Sequence, residues 1–144
     1  MKNSLHYKLR ASHTICNKTI IQELQQITEL RSGEPKILEF LAENEPCEQK
    51  AIALGCDLDP ASVTGILGRM EERGLIKRET HPGNRRSLFV SMTDIGQKSF
   101  LSVEKIFEKV DSSALKDFTN SEKAELFRLL DKLYFNLKEN NHEK

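Results

Sequence analysis

DPASVTGILGRMEERGLIKR, residues 59–78, is the stretch on which the fold turns. Asp59 is a good helix N-cap, and Pro60 suits the first helical position, where its missing N–H costs nothing. Val63, Leu67 and Met70 follow at i, i+4 and i+7 and mark one buried face. Gly74 ends the helix. Leu75-Ile76-Lys77-Arg78-Glu79 then reads as a strand. The continuation RETHPGNRRSLFVSMT, residues 78–93, adds a turn at His81-Pro82-Gly83-Asn84 and a second strand over 87–92. The result is a helix leading directly into a β-hairpin that carries two adjacent arginines, Arg85 and Arg86.

The flanking sequence supplies the other helices. Residues 4–29 carry Leu5, Leu9, Ile20, Leu24 and Ile27 at roughly helical spacing. Ser32-Gly33-Glu34-Pro35 breaks that pattern and starts a second helix, with Ile37, Leu38 and Leu41 on one face. A short helix over 48–55 offers Ala51, Ile52 and Leu54 as core candidates, and Gly55 is expected to close it in the left-handed conformation. Beyond the hairpin, Thr93 caps a helix over 94–112 with Phe100, Val103, Phe107 and Val110 inward. Thr119-Asn120-Ser121-Glu122 is a capping box. The helix it opens carries Leu126, Leu129, Leu130, Leu133 and Leu137 in one stripe.

The expected fold is therefore mainly α with a small β-hairpin wing, a winged helix-turn-helix core. The division is residues 1–31, a dimerisation helix; 32–92, the winged unit; and 93–144, further dimerisation helices. A leucine stripe on a terminal helix needs burial, and the same helices of a second copy provide it with two-fold symmetry.

Composition bounds the function. The chain has 144 residues, 38% hydrophobic and 31% charged, with a formal net charge of zero. Bulk charge gives no sign of a polyanion partner, but its distribution is uneven. Residues 32–58 carry two Lys/Arg against six Asp/Glu, whereas residues 59–92 carry six against four. No apolar run approaches the roughly 20 residues of a membrane span, and MKNSLHYKLR lacks the apolar segment of a signal peptide. A cytoplasmic protein with no membrane partner is expected. Cys16, Cys47 and Cys56 form no CxxC, and His6, His13, His81 and His142 form no HxxxH pair, so neither a metal site nor a cofactor is indicated. No Ser/His/Asp, Cys/His or paired-carboxylate spacing suggests an enzyme.

DPASVTGILGRMEERGLIKR and NRRSLFVSMTDIG, together with PKILEFLAENEPCEQKAIA, resemble the MarR family of bacterial transcription regulators over nearly the whole chain. The resemblance implies a dimeric winged helix-turn-helix protein that binds double-stranded DNA. It also implies response to a small-molecule inducer or an oxidant, and a repressor acting on a pseudo-palindromic operator. The second helix of the motif would enter the major groove, and the wing would reach the adjacent minor groove. On that helix Ser62, Thr64, Gly65 and Arg69 face outward, opposite Val63, Leu67 and Met70. Ser62 and Thr64 would bond bases or phosphates, and Arg69 would reach phosphate or guanine. Gly65 and Gly68 each cost roughly 1 kcal/mol of helix stability, which a close approach of backbone to DNA would explain and a helix-packing contact would explain equally. Arg86 is expected to insert into the minor groove with Arg85 on flanking phosphate, or the reverse. Arg73 and Arg78, with Lys77, are weaker candidates for phosphate contacts.

Two residues depart from the family pattern. Asn84 stands where Asp usually precedes the arginine pair, and Gly65 stands where a long polar side chain is common. Two alternative functions remain open on sequence grounds: a winged helix used only for protein contacts, and a thiol-based sensor using Cys16. Cys47 sits where a helix cap is expected, and Cys56 in a turn; both read as packing residues. The family's ligand zone would draw on the first helix (His13, Cys16), the second (Lys36, Phe40) and the start of the fifth; these residues would equally pack the junction between the lobes, and no ligand contact is assigned to any of them.

Overall fold

A computed structural model describes residues 1–142; the side chains of Asn84, Arg85 and His142 lie outside the described set, as do residues 143 and 144. Six helices and three short strands run in the order α1 (Leu5–Ile27), α2 (Glu34–Asn44), β1 (Cys47–Glu48), α3 (Gln49–Gly55), α4 (Pro60–Glu72), β2 (Ile76–His81), β3 (Asn84–Met92), α5 (Asp94–Ala114) and α6 (Asn120–His142). They divide into two compact units, Met1–Val110 and Asp111–Lys144. Among the described residues, no helix is long and apolar enough to cross a membrane.

Local chemistry sets most boundaries. Asp59 caps α4, accepting the Ser62 N–H at 2.9 Å. Gly74, at φ +76°, takes the chain out of α4 in a conformation that a side chain would strain. The Thr93 hydroxyl accepts the Gly96 N–H at 3.1 Å and opens α5. A Cβ on Gly96 would collide with the Leu75 carbonyl oxygen, so only glycine fits there. In the second unit the capping box is complete: the Glu122 N–H donates to the Thr119 hydroxyl at 3.1 Å, and the Thr119 N–H donates to the Glu122 carboxylate at 2.9 Å.

The core of the first unit is where the helix faces and the sheet meet. Ile37, Leu38 and Leu41 of α2, Ile52 of α3, Val63, Leu67 and Met70 of α4, and Val90 of β3 are all completely buried. Val103, Ile106 and Val110 of α5 join the same cluster.

Three expectations are corrected. Leu54 is not a core residue but is 73% exposed. Gly55 does not close α3 in the left-handed conformation: the ring of Phe40 occupies the space its Cβ would need, and Asp57 takes the positive φ instead. Cys47 is not a helix cap. It lies in β1, opposite Val90, and turns the hairpin into a three-stranded sheet of order β1-β3-β2.

Candidate nucleic-acid interface

α4 buries Val63, Ile66, Leu67 and Met70. That leaves Ala61, Ser62, Thr64 and Arg69 exposed, with Gly65 and Gly68 partly so. The two glycines are not there for packing within the chain. A Cβ on Gly68 would meet nothing within 4 Å, and one on Gly65 would meet only the Arg69 guanidinium, at 3.3 Å. Arg69 thus folds back over the space that a longer side chain at position 65 would fill.

The two hydroxyls are already engaged. The Ser62 hydroxyl donates to Asp59 Oδ2 at 2.6 Å. With the Ser62 N–H, it holds the Asp59 carboxyl below the usual carboxylate range. The Thr64 hydroxyl donates to the Pro60 carbonyl at 3.0 Å and accepts from Gln49 Nε2 at 2.6 Å. A hydroxyl has one proton. While these bonds hold, Ser62 and Thr64 can accept from a base but cannot donate to a phosphate. Their expected role is narrowed accordingly.

Gln49, at the start of α3, is the residue that sequence reading missed. Its only signal was a polar side chain opening the first helix of the motif; its partner lies 15 residues away.

The basic residues separate into two groups. Arg73, expected to position a phosphate, instead holds Glu34: Nη1 lies 2.8 and 2.6 Å from the two carboxylate oxygens, and Nη2 donates to the Glu29 carbonyl at 2.9 Å. Glu34 is 1% exposed, and it also accepts the Arg31 N–H at 2.7 Å. A buried carboxylate needs that charge, so Arg73 serves the fold. Arg78 of β2 is paired with Glu71 of α4 at 2.9 Å, which holds the Glu71 carboxyl below its usual range and ties the wing to the helix. Arg69 and Arg86 are exposed. The side chain of Arg85 lies outside the described residues.

The wing is longer and less regular than expected. β3 begins at Asn84, and its register with β2 steps from Thr80↔Leu88 to His81↔Asn84. Arg85, Arg86 and Ser87 therefore stand opposite a single step of β2, a bulge of the kind that re-aims side chains. Gly83, at φ +85°, makes the turn. The ring of His81 stacks on Phe89, with centroids 4.0 Å apart, and braces the tip.

A cavity of about 520 Å³ lies beside the loop between α1 and α2, lined by His13, Leu24, Arg31, Lys36 and Phe107 among others. Two residues of the expected ligand zone, His13 and Lys36, line it. Phe40 packs on Gly55, and Cys16 is exposed on α1. Burial pushes the Cys56 thiol up to about 11 and raises that of Cys47. Among the described residues, no group of three His, Cys, Asp or Glu could hold a metal.

Comparison with known proteins agrees with this geometry. Residues 30–88 match the model of the MarR family. The HTH-type transcriptional regulator BilQ of Clostridioides difficile is 26% identical over 124 residues, covering 83% of this chain and 84% of that protein. The fold matches the transcriptional repressor CouR, solved bound to a 23-mer DNA duplex, with a TM-score of 0.80 or better: the value is 0.81 at 20% identity, covering 91% of this chain and 92% of that one. It also matches Bordetella bronchiseptica BpsR, whose structure concerns regulation of DNA binding by 6-hydroxynicotinic acid, with TM-score 0.80 at 20% identity over 92% of this chain and 94% of that one. A small-faced α4, a bulged arginine wing and these matches lead to one statement of kinship: residues 30–88 form a winged unit of the MarR family.

Proposed function

We propose that this MarR-family transcription regulator is a homodimeric, ligand-responsive repressor that binds a pseudo-palindromic operator. Residues 32–92 are the DNA-binding part, and residues 1–31 and 93–144 pair the two copies. The observation that carries the reading is the outward face of α4, where Ala61, Ser62, Thr64 and Arg69 are exposed and Gly65 and Gly68 partly so, ahead of exposed Glu71 and Glu72 at the helix end. Such a face fits a major groove closely. Arg69 and Arg86 supply charge, Arg85 is assigned to flanking phosphate, and Ser62 and Thr64 accept from bases. Arg78 contributes only as far as Glu71 shares it. The fold neighbour CouR, seen on a DNA duplex, supports the same reading.

Pairing is supported by α6, where Phe127, Leu129, Leu130, Tyr134, Phe135 and Leu137 are 44–58% exposed. So much exposed apolar surface along one helix is best covered by the same helix of a second copy. A small organic ligand is supported by the 520 Å³ cavity, a size usual for such sites. Its lining includes Arg31 and Gly33, from the loop that leads into Glu34, the first residue of α2, which grips Arg73 just past the end of α4. A ligand that shifts this loop shifts the helix with it, and so favours one DNA-binding state over another. The precedent is BpsR, whose DNA binding responds to 6-hydroxynicotinic acid.

The test is a fluorescence titration against a pool of promoter-length duplexes at several salt concentrations. Affinity should fall steeply with salt, and Arg86→Ala should lower the slope by about one unit. Salt-independent binding, or none, would point instead to a winged helix used for protein contacts.

A further inference from the structure

We infer that Gln49 reads an adenine in each half-site, and that Thr64 holds its amide in place to do so. The inference deepens the operator-binding reading and rests on it. The hydrogen bond between Gln49 Nε2 and Thr64 Oγ1, at 2.6 Å, is solvent-exposed and joins two side chains. Fixing a long flexible side chain costs entropy that an exposed bond between neutral groups does not recover. Fold stability is therefore a poor reason for the bond, whereas pre-organising an amide for a partner is a good one.

Counting donors and acceptors identifies the partner. The Thr64 proton goes to the Pro60 carbonyl, so Thr64 can only receive the proton that Gln49 offers. This fixes which end of the Gln49 amide faces Thr64: the nitrogen. One amide proton is used there. The second remains, together with the carbonyl oxygen, on the same planar group. The adenine edge in the major groove presents the complement, an acceptor at N7 and a donor at N6. Ser62 cannot substitute for this, since its proton is held by Asp59. Arg69 cannot either, because a guanidinium only donates. Among the described side chains facing outward from α4 and its junction with α3, the Gln49 amide keeps both a donor and an acceptor available to one base.

The experiment is selection of bound duplexes from a random pool by the full chain, by Gln49→Ala, by Gln49→Glu and by Thr64→Val. Wild type should enrich a site with one adenine per half-site that Gln49→Ala no longer requires, with discrimination there falling by about 5- to 150-fold. Gln49→Glu, which can only accept, should shift that position toward cytosine, whose N4 donates. Thr64→Val should relax the position read by Gln49 more than any other, and Thr64→Ser should restore it. Thermal unfolding of each variant checks that the fold is retained. If Gln49→Ala selects the wild-type site with undiminished discrimination everywhere, or if Thr64→Val weakens all sequences equally, the inference fails while operator binding stands. If wild type itself enriches no sequence, operator binding fails and takes this inference with it.

Discussion

The outward face of α4 and the apolar stripe of α6 are both exposed, yet their chemistry is opposite. Along the first three turns of α4 the outward positions are alanine, serine, threonine, two partly exposed glycines and an arginine, with two glutamates at the helix end, and hydroxyl protons are held by neighbouring oxygens. Along α6 they are phenylalanine, leucine and tyrosine. The first surface gives up side-chain bulk, as suits a polar partner that must come close to the backbone. The second gives up solubility, as suits an apolar partner that removes water. The contrast teaches that exposure alone says little, and that the size and polarity of exposed groups indicate which kind of partner each face fits.

The largest effect should come from α6. Leu130→Glu with Leu137→Glu places charges on the same face of α6, about two turns apart. Each leucine buried in a dimer contributes roughly 1.5–3 kcal/mol, and symmetry doubles every change. Sedimentation should report a monomer, and a stable dimer would break the comparison on the apolar side. Next is Arg73→Ala, which leaves Glu34 buried without its cation and should cost about 3 kcal/mol in denaturant unfolding. An unchanged midpoint would return Arg73 to the group of cations available to DNA. Gly68→Ala sharpens the polar side through opposite signs. Helix propensity should raise stability by about 1 kcal/mol, while operator affinity should fall because the added methyl group holds the backbone away. A stabilised variant with normal affinity would remove the close approach at that position.

The smallest effect concerns the bond between helix and wing. Hydrogen bonding from Arg78 lowers the Glu71 pKa in the folded chain. The resulting stability is present above the ordinary carboxylate pKa and is lost as pH falls through the depressed folded value. The pair is partly exposed, so it contributes roughly 0.2–1 kcal/mol. Unfolding of wild type and Glu71→Gln should differ by that amount at neutral pH and converge in acid. A difference that persists in acid would assign the effect of the substitution to something other than the charge.

Features controlled by neighbours in sequence were legible before the structure. Asp59-Pro60, Gly74, Thr93-x-x-Gly96 and the Thr119–Glu122 box act within a single turn, and each fell where its chemistry required. Features controlled by distant partners were not. β1 is two residues long and exists because Val90 and Phe89 pair with it. Nothing near Gly55 announces Phe40, and nothing near Arg73 announces Glu34, 39 residues earlier. The candidate site shows the same division. The outward set on α4 followed from helical period, whereas the engagement of Thr64 by Gln49 and the bulge at Arg85–Ser87 depend on contacts between elements.

Among the described residues, the side chains of Arg73, Lys77, Arg78, Lys109 and Arg128 are paired with carboxylates at 2.6–3.5 Å, in a chain whose formal net charge is zero. For a transcription regulator this bears on how it is distributed along a chromosome. Attraction to arbitrary duplex scales with the counterions that a protein can release, and cations already neutralised at home release few. Competing sites number in the millions, so weak binding to each of them leaves more protein for the operator. Each cation held by a carboxylate thus lowers the number of copies a cell must make to keep one operator occupied.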